Sequence, residues 1–499
     1  MSSIFSWTYL SHPDDAALPA YRRLYFGIRR AILDGRLKPA EKLPASRDLA
    51  AQLKISRNTV VNAFDLLTSE GYLTSKIGAG SFVATSLPDQ HMSPCPDGRQ
   101  PQAAEPSPRS LRLSQSAQRT LAWQRRYPRF NVTRPFNPAT PDFDGFPFDI
   151  WARLLRRAWR QPKLALTIPD DPMGLGDLRD EIAAWLRQSR GVNCAASQVM
   201  IVSGAQQALD LIARALVDPG DIVATEDPGY EGIRGVLAAN GADVRPIPVD
   251  DEGLQVARLE TGAPARIVVT TPSRNYPMGT TLSLARRLSL LQWADAQDAW
   301  IVEDDYDSDY RYDGPPLSAL QGLDQRSRVI YVGTFSRVLF PGIRLGYLVA
   351  PPELVPVFRG LRGFADGVPA PTAQAALAAF FTDGHFGSHV RRTRLLYGER
   401  RAHLRDLITQ KAADLLTILP SDGGLHLCTR LETGLNDIAV QEKMVAARLD
   451  CRALSSYYHD KNPENLARLP QGLILGFAGW DKIALSQSFD ELIAILRRM

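Results

Sequence analysis

The sequence predicts two bodies of different class: a small, mostly α N-terminal head, and a large α/β body with a mostly parallel sheet and a smaller C-terminal subdomain. Three observations predict this. At roughly 150 residues per domain, 499 residues make about three structural units, more than one core holds. After about Pro135, Val/Ile-rich runs alternate with amphipathic helical stretches, the pattern of a sheet covered on both faces. Between the two bodies, residues 86–108 are rich in Pro and Ser and lack an apolar period, as in a semi-rigid spacer. The expected bounds are a head at 15–86, a Pro/Ser/Arg-rich linker at 87–130 and a body at 131–499. Within the body the large domain covers about 165–370 and the small subdomain mainly 371–499.

The charge is lopsided. Residues 1–86 hold 11 Lys+Arg against 7 Asp+Glu, and residues 87–130 hold 7 against 3, so the first 130 residues carry +8 of a net +4. The remainder (58 − 18 = 40 basic, 54 − 10 = 44 acidic) carries −4. A basic head on a weakly acidic body suggests a nucleic-acid partner at one end only. Apolar runs such as VMIV and LIARALV fall far short of the roughly 20 residues of a bilayer helix, so no membrane partner is expected. The opening MSSIFSWTYL lacks the pattern of a secretory leader, and the four cysteines lie far apart without metal-type spacing. Together these predict a cytoplasmic chain without a metal site.

In the head, AYRRLYFGIRRAILD places Leu24, Ile28 and Ile32 on one helical face, and Gly35 ends the helix. A second helix opens at Ser46, with Ser46 as its N-cap, and Ser56 caps a third, SRNTVVNAFDLLTSEGY. Val60, Phe64 and Leu67 form the buried stripe of that third helix, which leaves Arg57, Asn58, Thr59 and Asn62 available near its start. This is helix-turn-helix geometry, in which the start of the second helix of the motif meets base edges. Gly71 stops the helix. YLTSKIGAGSFVA then supplies two short strands around Gly78 and Gly80, a wing whose Lys76 and backbone amides can meet phosphates. A helical domain used for protein contacts is the competing reading.

LPASRDLA, ISRNTV, LLTSEGYL and IGAGSFV, in this order over residues 20–84, resemble the GntR-type winged helix-turn-helix. The resemblance implies double-stranded promoter DNA as partner. It implies contacts from Arg47 at the start of the second helix, from Arg57, Thr59 and Asn62 on the third with Ser56 and Asn58 beside them, and from Lys76, Gly78 and Gly80 in the wing. Asn62 stands where many relatives carry Arg.

In the body, strands are expected at VMIV (199–202), DIVAT (221–225), ARIVVT (265–270), AWIVED (299–304), RVIYVG (328–333) and LGYLVA (345–350). Open α/β sheets bind ligands at their strand ends, and four constellations fall there. SGAQQALD turns from the first strand into a helix whose free amides at Ala205 and Gln206 can hold a phosphate, although an ordinary βα turn reads the same way. EDPGY ends with Tyr230, either a ring-stacking aromatic or a packed turn tyrosine. EDDYDSDY offers Asp304 to a protonated pyridine nitrogen and Tyr306 to a ring oxygen, or else forms an acidic solvated loop or a calcium site, although its spacing does not fit an EF-hand. GTFSRVLFPGIR offers Thr334, Ser336 and Arg344 to a phosphate.

These four, in this order, are similar to fold-type I pyridoxal-phosphate aminotransferases from about Asn137 to the C-terminus. With the head, the chain resembles the MocR/GabR-type transcription regulators. The resemblance implies pyridoxal 5'-phosphate as cofactor. Asp304 then faces the pyridine nitrogen, Tyr306 the phenolic oxygen and Tyr230 the ring face, while Ala205, Gln206, Thr334, Ser336 and Arg344 surround the phosphate. It also implies a head-to-tail homodimer and a small-molecule effector, such as an amino compound or a vitamin B6 phosphate.

One departure outweighs the matches. The family pattern ends Gly-Thr-Phe-Ser-Lys, and here the last position is Arg337. Covalent attachment to an aldehyde needs an amine that sheds its proton, which a lysine does and a guanidinium does not, although Arg337 remains a cofactor-site residue able to pair with an anionic ligand. Two lesser departures are RNYPMG at 274–279 and Ile474, which stands where many aminotransferases keep a carboxylate-gripping Arg. The expected function is therefore a DNA-binding transcription regulator that senses a small molecule through an aminotransferase-like pocket, with no catalytic residue and cofactor held noncovalently or lost. The alternative is an aminotransferase carrying a DNA-binding head.

Overall fold

A computed structural model describes residues 18–76, 80–86, 112–124, 134–160, 164–314, 317–432, 434–466 and 468–499. The chain divides into two compact units between residues 111 and 112.

The head consists of helices α1 (Ala20–Leu33), α2 (Ser46–Leu53) and α3 (Arg57–Ser69), followed by an antiparallel pair, β1 (Leu73–Lys76) and β2 (Gly80–Val83). Its core joins Leu24 and Ile28 of α1, Leu49 of α2, Val60 and Leu67 of α3, and Leu73 and Val83 of the wing, all nearly inaccessible to water. Each such side chain contributes roughly 1.5–3 kcal/mol of transfer free energy. The apolar stripe expected on α3 is the face buried here. Ser56 caps α3, accepting from the Thr59 amide at 3.1 Å. Ser46 is not a cap: it is already the first helical residue of α2, and Ala45, at φ −59° and ψ 147°, occupies the cap position without a side-chain bond. The Ser46 hydroxyl is instead approached by Arg57 Nε at 3.5 Å.

Part of the span expected as linker is ordered in the body. Gln115–Gln124 forms α4, held by Ser116 Oγ donating to the Ala239 carbonyl at 2.9 Å, with Trp123 against Gly235. Its Ala, Gln, Leu and Trp residues favour a helix where the Pro-rich stretch before them does not.

The body then runs α5 (Phe148–Arg160), α6 (Gly176–Arg190), β3 (Val199–Val202), α7 (Ala205–Leu216), β4 (Ile222–Asp227), α8 (Glu231–Asn240), β5 (Asp243–Asp250), β6 (Gly253–Leu254) and β7 (Ile267–Thr270). After these come α9 (Leu284–Ala296), β8 (Trp300–Asp305), β9 (Val329–Thr334), β10 (Gly346–Val349), α10 (Val355–Ala365), α11 (Pro371–Thr382) and α12 (His385–Lys411). The large sheet has the order β3-β10-β9-β8-β7-β4-β5-β6. Its central pairs, β9–β8, β8–β7, β7–β4 and β4–β5, are parallel, and β10 is antiparallel to both neighbours. The expectation of a mostly parallel sheet is met. Alternate residues enter two cores: Val199, Ile201 and Tyr331 on one face, Met200, Val202 and Ile330 on the other. Burial on both faces is why these strands read as unbroken apolar runs.

β5, which carries Pro246 and Pro248, was not among the expected strands. It pairs along its length only with β4 and is met on its other side by the two-residue β6, a position where missing amide donors are tolerated. The small subdomain forms a second, antiparallel sheet, β11 (Leu416–Ile418), β12 (His426–Leu431), β14 (Gly472–Gly476) and β13 (Arg452–Ala453), in that order. Phe136 bridges to its Gly476. Among the described residues no helix is long and apolar enough to cross a membrane.

Because four central strands run parallel, their C-terminal ends, at Asp227, Thr270, Asp305 and Thr334, lie along one edge of the sheet. The turn from β3 into α7 joins that edge through β10, where Gly346 pairs with both Val202 and Thr334. A Cβ on Gly346 would come within 3.0 Å of the Gly204 Cα, and Gly204 itself sits at φ +105°, so both must be glycine for this close crossing.

Candidate functional site

In the head, Arg47 begins α2, and Arg57, Asn58, Thr59 and Asn62 lie in the first turns of α3 behind the Ser56 cap. All of these are solvent-exposed except the half-buried Thr59, whose hydroxyl lies 2.8 Å from Ser56 Oγ. Lys76 closes β1 and pairs in register with Gly80, which opens β2. Gly78 lies outside the described residues. The surface presented by α3 is thus polar and solvent-exposed, while its opposite stripe is consumed by the core.

In the body, the eight residues assigned above to a ring and phosphate, together with Arg337, line one cavity of about 260 Å³. The phosphate side is built from three segments. The amides of Ala205 and Gln206 open α7 and have no acceptor within the helix. Thr334 ends β9, and its Oγ1 accepts from the Ser336 amide at 3.2 Å, which leaves its hydroxyl proton available. Arg344 follows a 3-10 turn, Pro341–Ile343, in left-handed backbone at φ +51°, a conformation that strains a non-glycine residue and is found at ligand sites. Among the described residues the Arg344 guanidinium has no ion-pair partner.

The ring side is dominated by Asp304. It is buried, and its Oδ1 has no hydrogen-bond partner among the described residues. Burial, reinforced by neighbouring Asp305, pushes its carboxyl up to about 7, although Arg337 pulls the other way. A buried carboxylate oxygen left unbonded costs on the order of 1–3 kcal/mol, and a ligand N–H relieves it. Tyr306 accepts a hydrogen bond from Arg274 Nη1 at 2.9 Å. Burial holds its phenol well above the ordinary range, so it remains a neutral donor. Arg274 is in turn anchored by Asp307 at 3.2 Å and the His426 carbonyl at 3.0 Å. Tyr230 caps the start of α8 and is reached by Gln206 Nε2 at 3.4 Å.

Arg337 enters the same cavity. Its Nη1 donates to the Pro138 carbonyl at 2.9 Å, and its Cζ lies 4.9 Å from the Tyr306 ring centre and 5.6 Å from that of Tyr276. A cation between aromatic faces is held by the ring quadrupoles, each contact stabilising by roughly 0.5–2 kcal/mol.

Several residues of the site were not singled out from sequence. Ala139, Thr271 and Pro341 also line the cavity. Tyr276, noted above only as part of a departing loop, is a hub: its ring meets Tyr230, Tyr306, His426 and Tyr457 edge-on, with centroids 5.2–5.9 Å apart. Glu226, in the same EDPGY motif as Tyr230, is buried and saturated by Thr270 Oγ1 (2.6 Å), Thr271 Oγ1 (2.5 Å) and Asn275 Nδ2 (2.9 Å). It fixes the loop that carries Tyr276. Its position at a strand end was the only available signal.

A winged-helix reading unit preceding an aminotransferase-type body is the class that this fold and these surfaces define. Family models agree: that for bacterial regulatory proteins of the gntR family matches residues 20–83, and that for aminotransferase class I and II, a pyridoxal-phosphate-dependent family, matches residues 142–461. The probable rhizopine catabolism regulatory protein MocR of Rhizobium meliloti is 40% identical over 482 residues, covering 96% of this chain and 94% of that protein. The pyridoxine biosynthesis transcriptional regulator PdxR of Corynebacterium glutamicum is 33% identical over 469 residues, covering 93% of each. The crystal structure of Pyrococcus horikoshii kynurenine aminotransferase shares the fold, with a TM-score of 0.67 over 78% of this chain and 95% of its own at 24% identity. The chain belongs to the MocR-type transcription regulators, with a GntR helix-turn-helix domain and an aminotransferase class I and II domain.

The residues present fit pyridoxal phosphate in two respects: the orphaned Asp304 oxygen suits its ring nitrogen, and the hydroxyls, amides and guanidinium suit its phosphate. They do not supply an amine for covalent attachment, since Arg337 is the residue at that edge of the cavity.

Proposed function

We propose that this regulator binds promoter DNA through α3 and the wing, and that its body senses a small molecule held noncovalently in the cavity, without transamination. The observation that carries the reading is Arg337. A guanidinium pinned between Tyr306, Tyr276 and the Pro138 carbonyl is a permanent cation in place of a reactive amine. When bound, the vitamin B6 phosphate would supply a planar ring with a protonatable nitrogen and a dianionic tail. Asp304 would accept its ring N–H, Tyr306 would donate to its phenolic oxygen, Tyr230 would cover its face, and Thr334, Ser336, Arg344 and the α7 amides would hold the phosphate.

Arg47, Arg57, Asn58 and Asn62 would read DNA from an exposed face, with Ser56 and Thr59 setting the start of the helix. The chain would act as a head-to-tail homodimer in the cytoplasm, its two heads reading half-sites spaced by about 10 bp or a multiple. Ligand can alter DNA affinity only by contacting two states of the body differently. Footprinting on the promoter beside its own gene, with and without pyridoxal phosphate, tests the proposal. Protection of a discrete site that shifts with ligand is expected, and equal affinity for random DNA would overturn it. Incubation with amino donors should release no keto acid; turnover would favour the enzyme reading.

A further inference from the structure

The cavity's charges narrow the ligand beyond a ring and a phosphate, an inference that rests on the function proposed above. Among the described residues no carboxylate forms an ion pair with Arg337, although Asp304 and Asp307, each with a bare Oδ1, act on it through space. Asp307 pairs with Arg274 at 3.2 Å. Glu226 is saturated by two threonines and Asn275. Asp304, buried with one bare oxygen, is placed for the ring nitrogen and forms no ion pair with Arg337 among the described residues. Among the described residues the guanidinium therefore has one neutral acceptor, the Pro138 carbonyl, and two aromatic faces, with no protein anion in ion-pair contact. A half-buried cation in this state gains strongly from a ligand anion, above all from one that takes two of its N–H groups.

The place of that anion follows from the neighbours of Arg337. It directly follows Ser336, on the phosphate side, and its Cζ lies against the ring of Tyr306, the partner of the phenolic oxygen. Between the phosphate arm and the phenolic oxygen, a substituted pyridine of this kind has one ring position. An aldehyde there offers a single neutral oxygen, and an aminomethyl group offers a second cation. A carboxylate offers two oxygens and a negative charge, which matches the guanidinium fork.

We propose that the cavity selects a pyridine phosphate ester bearing a carboxylate at this position, over the corresponding aldehyde or amine. Calorimetry on the full-length protein with three probes that differ only there tests it: 4-pyridoxic acid 5'-phosphate, pyridoxal 5'-phosphate and pyridoxamine 5'-phosphate. The carboxylate should bind about tenfold or more tighter than the aldehyde, the factor that about 1.4 kcal/mol supplies, and the amine should bind weakest. Arg337→Gln should erase the advantage of the carboxylate, and the wild-type ranking stands as a test even if that variant does not fold. Equal affinities, or preference for the aldehyde or amine, would overturn this inference alone. Failure of all three probes to bind would overturn it together with the ring-and-phosphate reading.

Discussion

The head and the body meet their proposed ligands in opposite ways. Around α3 the candidate residues fall within one stretch of chain, 47–80, and most stand exposed on a helix whose other face is the core. In the body they come from residues 205–344, at the ends of several strands, and the central ones are buried: Asp304 is 5% exposed and Tyr306 9%. Hydrated groups on a surface add nothing to the cost of folding and recognise their partner by shape and charge. Enclosed groups must be desolvated before any ligand arrives, and among the described residues the body carries an orphaned carboxylate oxygen and a cation without an ion-pair partner. On the proposed reading, the head suits a large, hydrated polyanion and the body a small ligand that completes its unmet bonds.

The largest expected effect lies in the body. Arg337→Lys should create a stoichiometric, borohydride-trappable attachment of pyridoxal phosphate that wild type is expected to lack, read by intact mass and by visible absorption. No change would mean that the cavity has diverged further than its lining suggests. In the head, Arg57→Ala should weaken specific operator binding by about 1–3 kcal/mol, while Lys76→Ala should weaken all sequences alike. Mobility shifts on operator and scrambled DNA separate the two, and identical profiles would erase the distinction between reading and anchoring.

The smallest effect concerns the burial of Asp304. Its pKa is raised from 3.8 to about 7 by folding, so the native state binds the extra proton between those values. Stability from this group is present below about pH 4 and is lost as pH rises toward 7. Asp304→Asn should therefore raise the melting temperature at pH 8 relative to wild type, and leave it nearly unchanged at pH 4. The same variant should abolish the fall in vitamer affinity that wild type shows as pH drops below about 7, where Asp304 must give up its proton to accept a ring N–H. Parallel melting curves at both pH values would show that the carboxylate is not desolvated. Exposed Arg57→Ala should leave the melting temperature unchanged at either pH, which keeps the two regions distinct.

Most of the fold was legible in the sequence because its signals are local. The Val60–Phe64–Leu67 stripe predicts the buried face of α3, and six apolar runs predict six strands of the large sheet. The exceptions have physical reasons. Pro246 and Pro248 hide β5, which tolerates them only because one of its sides is barely paired. Ser46 has the side chain of a cap, yet the helix begins at Ser46 itself because Ala45 already has the extended backbone that a cap position needs. α4 has no fully buried residue and so no apolar stripe to announce it.

What the sequence determined by itself is the identity of the chemistry: a basic helix-turn-helix, a carboxylate and tyrosine after one strand, hydroxyls and guanidinium after another, and Arg337 where an amine would be needed. These are covalent facts of residue type and spacing. Only the tertiary structure decided which groups are unsatisfied. That Asp304 keeps a bare oxygen, that Arg274 holds one side of Tyr306, and that Arg337 has aromatic faces but no ion-pair partner among the described residues all depend on which strand ends meet. Desolvation and hydrogen bonding belong to neighbourhoods formed by residues more than a hundred positions apart, and no local pattern encodes them.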